Sequence, residues 1–177
     1  MRIDLHIGFS EAGADALQAA MAEKREQLLR QGILFPAALG KKNHTRLYMA
    51  VTEPEHIDPL RFARGFLIAE KQELLRDAVK EDLARDIAEH RPDKIILSAT
   101  QLGSSLWRPS ELERLRKLLA TFSKDIRVIA HVDEPARVLA AQAVDLGQGI
   151  VGRALPGIAP DGLVKGVIGG IKAALVL

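Results

Sequence analysis

Residues 2–18, RIDLHIGFSEAGADALQ, constrain the fold more than any other stretch of the chain. Ile3, Leu5 and Ile7 alternate with Arg2, Asp4 and His6, the two-residue period of a strand with one apolar face. Gly8 and Gly13 then bound a turn, and a helical pattern opens directly behind it. This is the layout of a phosphate-binding loop, in which backbone amides converge on an anion and the next helix directs its positive end at the same place. The G-x-x-x-x-G spacing is present, but Ala14 and Asp15 stand where a Walker-type loop carries Lys and Ser or Thr. The frame is expected without its cation. Asp4 and His6 also need an account, because a parallel strand covered on both faces is normally apolar throughout. Either one face of this strand is partly open, or both side chains have partners inside.

Further along, the apolar spacing alternates between helical and strand periods. A helix is expected over 14–31, with Leu17, Met21, Lys24 and Leu28 on one side and Gly32 as its stop. A short strand follows over 33–35. Residues 40–46, GKKNHTR, are basic and irregular, and with Pro54 and Pro59 close behind, this region reads as loop or lid. The pattern over 62–90 is helical, as one helix or two, with Leu75, Val79, Leu83 and Ile87 spaced by four and Pro92 closing the run. Residues 94–98, KIILS, have the short apolar run of a buried parallel strand. Residues 100–108 read as a polar loop, where Trp107 beside Arg108 either lines the mouth of the sheet or anchors the loop. Ser110 with Glu113 forms a capping box ahead of the stripe Leu112, Leu115, Leu119 and Phe122. Residues 126–132, IRVIAHV, are another strong strand, and Asp133 with Pro135 reads as an N-cap opening a helix to about residue 143. Strands alternating with helices imply right-handed crossovers and a parallel sheet.

With 177 residues, 47% of them hydrophobic, the chain is sized for one domain with its own core, expected over 1–145. A glycine-rich segment over 146–177 either completes that domain as a weak helix or forms an interface for a second copy. A net charge of +2 with both signs mixed gives no reason to expect nucleic acid or an acidic membrane as partner. An aromatic content of 4% disfavours base-stacking platforms. The absence of cysteine removes disulfides, thiolate metal sites and thiol nucleophiles, and fits the cytoplasm. No signal peptide or spanning segment is read, since charges alternate through the first residues and Lys165 and Lys172 interrupt the last apolar run. Glu11, Asp15 and Asp133 are carboxylates that could converge, but their spacing specifies no metal site.

Leu5, His6, Ile7, Gly8, Gly13, Leu17 and Gln18, followed by Gly32-Ile33-Leu34-Phe35-Pro36 and Asn43-His44, resemble the N-terminus of bacterial sulfotransferase-like P-loop proteins. Their usual text is close to LHIGPHKTGTTSLQ, with a helix and a glycine-hydrophobic-hydrophobic-aromatic-proline strand behind it. The likeness extends more faintly to about residue 145. It implies an α/β fold with a three-layer parallel sheet of the P-loop nucleoside triphosphate hydrolase and sulfotransferase-like type. It also implies a phosphate loop made of Gly8, Phe9, Ser10, Glu11, Ala12, Gly13, Ala14 and Asp15. Chains of that family commonly continue beyond this length, so the present one reads as a truncated or natively short version.

In the resembled family a loop lysine and hydroxyls hold the 5′ side of the donor 3′-phosphoadenosine 5′-phosphosulfate, and an Arg and a Ser hold its 3′-phosphate. By the resemblance, Glu11 takes the lysine's place, Ala14 and Asp15 the hydroxyl positions, and Asp133 the position of the lost Arg. A unit charge about 4 Å from a phosphate is worth roughly 4 kcal/mol at an effective dielectric near 20. Exchanging attraction for repulsion therefore lowers donor affinity by orders of magnitude. The same acidic residues also suit a helix start, where they complement the dipole. The resulting expectation is a degenerate member, a pseudoenzyme without cofactor that acts as a binding or regulatory protein toward an unknown small molecule or protein. The alternative is an active sulfotransferase with altered donor contacts, in which His44 serves as general base. The residues around His44 equally fit a solvated loop histidine, and His6 and His131 fit hydrogen-bonded interior positions. A third alternative is a subunit completed by another chain that docks on 146–177.

Overall fold

A computed structural model describes residues 1–8 and 13–132. In chain order the elements are strand β1 (Arg2–Gly8), helices α1 (Ala14–Glu23) and α2 (Arg25–Arg30), strand β2 (Ile33–Leu34), and helices α3 (Thr45–Val51), α4 (Pro59–Arg64) and α5 (Ala69–His90). Strand β3 (Lys94–Ser98), helices α6 (Gln101–Ser104) and α7 (Pro109–Ala120), and strand β4 (Ile126–His131) complete the set. The four strands form one all-parallel sheet in the order β2-β3-β1-β4. The chain thus adopts the expected α/β class.

Register divides the sheet into two chemically different faces. Ile3 and Leu5 of β1 align with Ile95 and Leu97 of β3 and with Ile126 and Val128 of β4. This face forms the core with Leu75, Val79 and Leu83 of α5 and Leu112, Leu115 and Leu119 of α7. Each such side chain contributes about 1.5–3 kcal/mol on burial. The opposite face carries Asp4, His6 and Gly8 of β1, flanked by Ile96 and Ser98 of β3 and by Arg127, Ile129 and His131 of β4. Asp4 is buried within 3.1 Å of Arg2 Nε and 3.7 Å of Lys94 Nζ, and buried His6 meets Ser98. Both accounts of the polar residues in the first strand apply: His6 has an interior partner in Ser98, whereas Asp4 pairs with Arg2 and Lys94, which are themselves 36% and 30% exposed, at a partly open part of this face.

The region read as loop or lid is corrected by α3. Leu47, Tyr48, Met49, Ala50 and Val51 are all buried in it. It packs against α5, α6 and α7, and a helix enclosed on every side is apolar all round, so it leaves no periodic signal. The helix expected over 14–31 is interrupted at Lys24, and Gly32, at φ 72°, follows its second half. Two helices, parted by Gly65 at φ 73°, fill the pattern over 62–90. The capping box at Ser110 and Glu113 is not formed. Pro109 already occupies the first turn of α7, and the Ser110 hydroxyl donates to Glu53. The polar loop over 100–108 contains α6. The helix expected after Asp133, the boundary near 145 and the segment 146–177 lie outside the described residues. Among the described residues no helix is long and apolar enough to cross a membrane.

Candidate functional site

The topology singles out one place on the sheet. From β1 the chain runs to β2, beyond β3; from β3 it runs to β4, on the far side of β1. Connections leaving two adjacent strands in opposite directions open a crevice at their carboxyl ends, where open parallel sheets bind ligands. Right-handed crossovers put the two connections on opposite faces. The contacts agree: Gln18 of α1 reaches Ser98 on the polar face, whereas α7 packs in the apolar core.

Three neutral side chains meet at this crevice. His6 Nδ1 lies 2.7 Å from Ser98 Oγ, and Gln18 Nε2 donates to the same oxygen at 2.9 Å. With Gln18 donating, the Ser98 hydroxyl proton finds its acceptor at His6 Nδ1, which leaves the imidazole proton on Nε2. That Nε2 is buried and has no hydrogen-bond partner among the described residues. The His131 ring stands edge-on to His6, with centroids 5.7 Å apart. Burial, and secondly the neighbouring His131, push the His6 pKa below the ordinary imidazole value, so the ring is held neutral.

Close backbone approaches fix the rim. Gly13 is the N-cap of α1 at φ 87°, in the left-handed region that favours glycine. A Cβ on Gly8 would stand 2.7 Å from His131 Cβ and 2.8 Å from its carbonyl oxygen, so the end of β1 admits no side chain. A Cβ on Gly103 of α6 would lie 3.2 Å from the Gly8 nitrogen. Asn43 Nδ2 ties the preceding loop to this end of β3 by donating to Thr100 Oγ1 at 3.0 Å and to Gln101 Oε1 at 3.1 Å.

Of the residues singled out from the sequence, Gly8 ends β1, Gly13 is the N-cap of α1, Ala14 is buried in the first turn of α1, and Asp15 is exposed beside it. Phe9, Ser10, Glu11, Ala12 and Asp133 lie outside the described residues. His44 is not a solvated loop histidine. It is fully buried at the N-cap of α3, with its ring 4.5 Å from that of Phe35. It clamps Ser98 from both sides, accepting the Ser98 N–H on Nδ1 at 3.1 Å and donating its own N–H to the Ser98 carbonyl at 2.8 Å. Burial, with Arg25 adding to it and the Pro36 backbone opposing, lowers its pKa to about 3. With that lone pair engaged, the geometry gives His44 a positioning role rather than the place of a base. Trp107 is 63% exposed beneath the Arg108 guanidinium and neighbours His56, so it neither anchors its loop nor joins His6.

Ser98 and Gln18 are the site residues that periodicity did not single out. Their signals were present: a lone hydroxyl closing an apolar strand, and an amide one helical turn after buried Ala14. Among the described residues no group of three or more His, Asp or Glu side chains is arranged to hold a metal ion. Fold and site together define an α/β domain with a neutral polar crevice at the switch point of an open parallel sheet. In comparisons with known proteins, the chain matches no family model, no curated protein and no solved structure.

Proposed function

We propose that the chain is a sulfotransferase-like P-loop protein that has lost its sulfonate-donor charges and works as a non-catalytic binding or regulatory domain. The observation that carries this reading is that the end of β1 and the start of α1 both lie against His131 at the switch point. Gly8 ends β1 against the β4 backbone, and Gly13 opens α1 in the left-handed conformation, itself carrying no side chain that could act as a cap. The amides of a helix start suit an anion or an electron-rich group. The side chains gathered beside them, His6, Gln18 and Ser98, are neutral, and Asp15 in the first turn of α1 is acidic. A site of this kind supports recognition of an uncharged or weakly charged acceptor group better than of a bisphosphate.

Equilibrium titration with adenosine 3′,5′-bisphosphate, the product shared by sulfotransferases, tests the reading. No binding tighter than about 1 mM is expected. Micromolar binding would overturn the loss of donor recognition and restore the transferase, with 3′-phosphoadenosine 5′-phosphosulfate as its cofactor.

A further inference from the structure

A second cavity, of about 200 Å³, lies at the edge of the sheet, where β2 is flanked by α2 and α5. The outer edge of β2 pairs with no other described strand. Leu29, Leu34, Phe35 and Pro36 give the cavity an apolar lining, and Arg25 and Asp86 add two opposite charges. These do not pair with each other. Arg25 is fixed in place: Nε donates to the Phe35 carbonyl at 2.7 Å, Nη2 donates to the Lys41 carbonyl at 2.8 Å, and the guanidinium lies 5.3 Å over the Phe35 ring. Its remaining donor, Nη1, makes no hydrogen bond among the described residues. Asp86 on α5 is only partly exposed; among the described residues it accepts no hydrogen bond and forms no ion pair, and Arg85 and His90, the latter also lining the cavity, act on it only through space. Burial holds its carboxyl above the usual carboxylate range.

A partly buried carboxylate with no hydrogen-bonded partner costs stability in the empty protein, and a pre-organised guanidinium with a spare donor sits in the same cavity. A ligand that offers an anion to one and a cation to the other would satisfy both groups. The volume corresponds to about seven waters at roughly 30 Å³ each, which limits the ligand to about a dozen heavy atoms. We propose that this cleft binds a small apolar amino acid, its carboxylate on Arg25 Nη1, its ammonium on Asp86 and its side chain over Leu29, Leu34 and Pro36. The site is separate from the crevice at β1 and β3 and does not depend on what binds there.

The test uses L-leucine and two matched analogues, 3-methylbutylamine, which lacks the carboxylate, and 4-methylpentanoate, which lacks the ammonium. Backbone amide shifts of Ala37, Ala38, Asp86 and His90 are followed by NMR. Leucine is expected to saturate with a Kd of about 1 mM or tighter, and each analogue to bind at least ~10-fold more weakly. Asp86→Asn removes no hydrogen bond or ion pair, so the variant should fold, melt at least as high as the parent and lose leucine binding. The proposal is overturned if leucine gives no saturable shift up to about 20 mM, if the three compounds bind alike, or if Asp86→Asn binds leucine as before. A higher melting temperature alone does not rescue it.

Discussion

Ser98→Ala is the sharpest single perturbation of the crevice, because it deletes one oxygen and leaves the backbone clamp by His44 in place. The lost atom is fully buried and serves two partners, His6 Nδ1 at 2.7 Å and Gln18 Nε2 at 2.9 Å, which are themselves 4% and 1% exposed. Neither can turn to water. A buried polar group left without its partner costs about 1–3 kcal/mol, so two of them predict a loss of about 2–6 kcal/mol. For a chain of this length that corresponds to roughly 4–24 °C in Tm. Urea unfolding followed by circular dichroism measures the change, and an unchanged m-value shows that the loss belongs to the native state. Adding His6→Leu to Ser98→Ala should recover part of it, since one orphaned group then disappears. A loss under about 0.5 kcal/mol at constant m-value would mean that water reaches the cluster, and the reasoning about a dry, neutral crevice would be wrong.

The loop between α3 and α4 rests on Arg61, which is buried and donates to the carbonyls of Glu53, Pro54, His56 and Phe66. Arg61→Lys keeps the charge but cannot span these acceptors, so it should still cost at least ~2 kcal/mol in a thermal or urea melt. Acid sensitivity follows from the two histidines whose native pKa values are lowered, His44 to about 3 and His6 below its ordinary value. The unfolded chain takes up these protons first. The stabilising contribution is therefore complete above about pH 6.5 and lost as pH falls toward the native values, with a slope of about 1.4 kcal/mol per pH unit for each histidine. Stability measured between about pH 6 and 4 should fall less steeply in His44→Gln than in the parent, and equal slopes would show that His44 is protonated in the native state.

The strands were legible because each carries its own period. β1 alternates, β3 is a short apolar run, and β4 sits ahead of a turn signal, so a parallel α/β sheet follows from spacing and the crossover rule. What stayed hidden depends on enclosure by distant parts of the chain. Residues 47–51 are buried on all sides only because α5, α6 and α7 surround them, and close behind Lys41, Lys42 and Arg46 they look like loop. The N-cap of α4 is readable, since Asp58 accepts the Arg61 N–H ahead of Pro59, yet Pro54 and Pro59 on their own read as loop signals. Ser110 misled for the converse reason: its spacing from Glu113 fits a capping box, but Pro109 starts the helix earlier and Glu53, 57 positions away, takes the hydroxyl. At the crevice, Gly8 and Gly13 could be found from the turn alone. The pairing of His6 with Ser98 spans 92 positions and no local pattern encodes it.

Gly8 at the end of β1 and Gly13 at the start of α1 are the frame proposed to suit an anion, and Glu11 and Asp15 are the acidic residues proposed to repel one. Glu11→Lys combined with Asp15→Thr removes two acidic groups and supplies one cation without touching Gly8 or Gly13. At about 4 kcal/mol for a charge near 4 Å and an effective dielectric of 20, even strong screening leaves a gain of at least ~10-fold in affinity for adenosine 3′,5′-bisphosphate. Calorimetric titration of parent and double variant, side by side, is the direct measurement. The account predicts negligible binding by the parent and measurable binding by the variant. Tight binding by the parent, or none by a correctly folded variant, would contradict it.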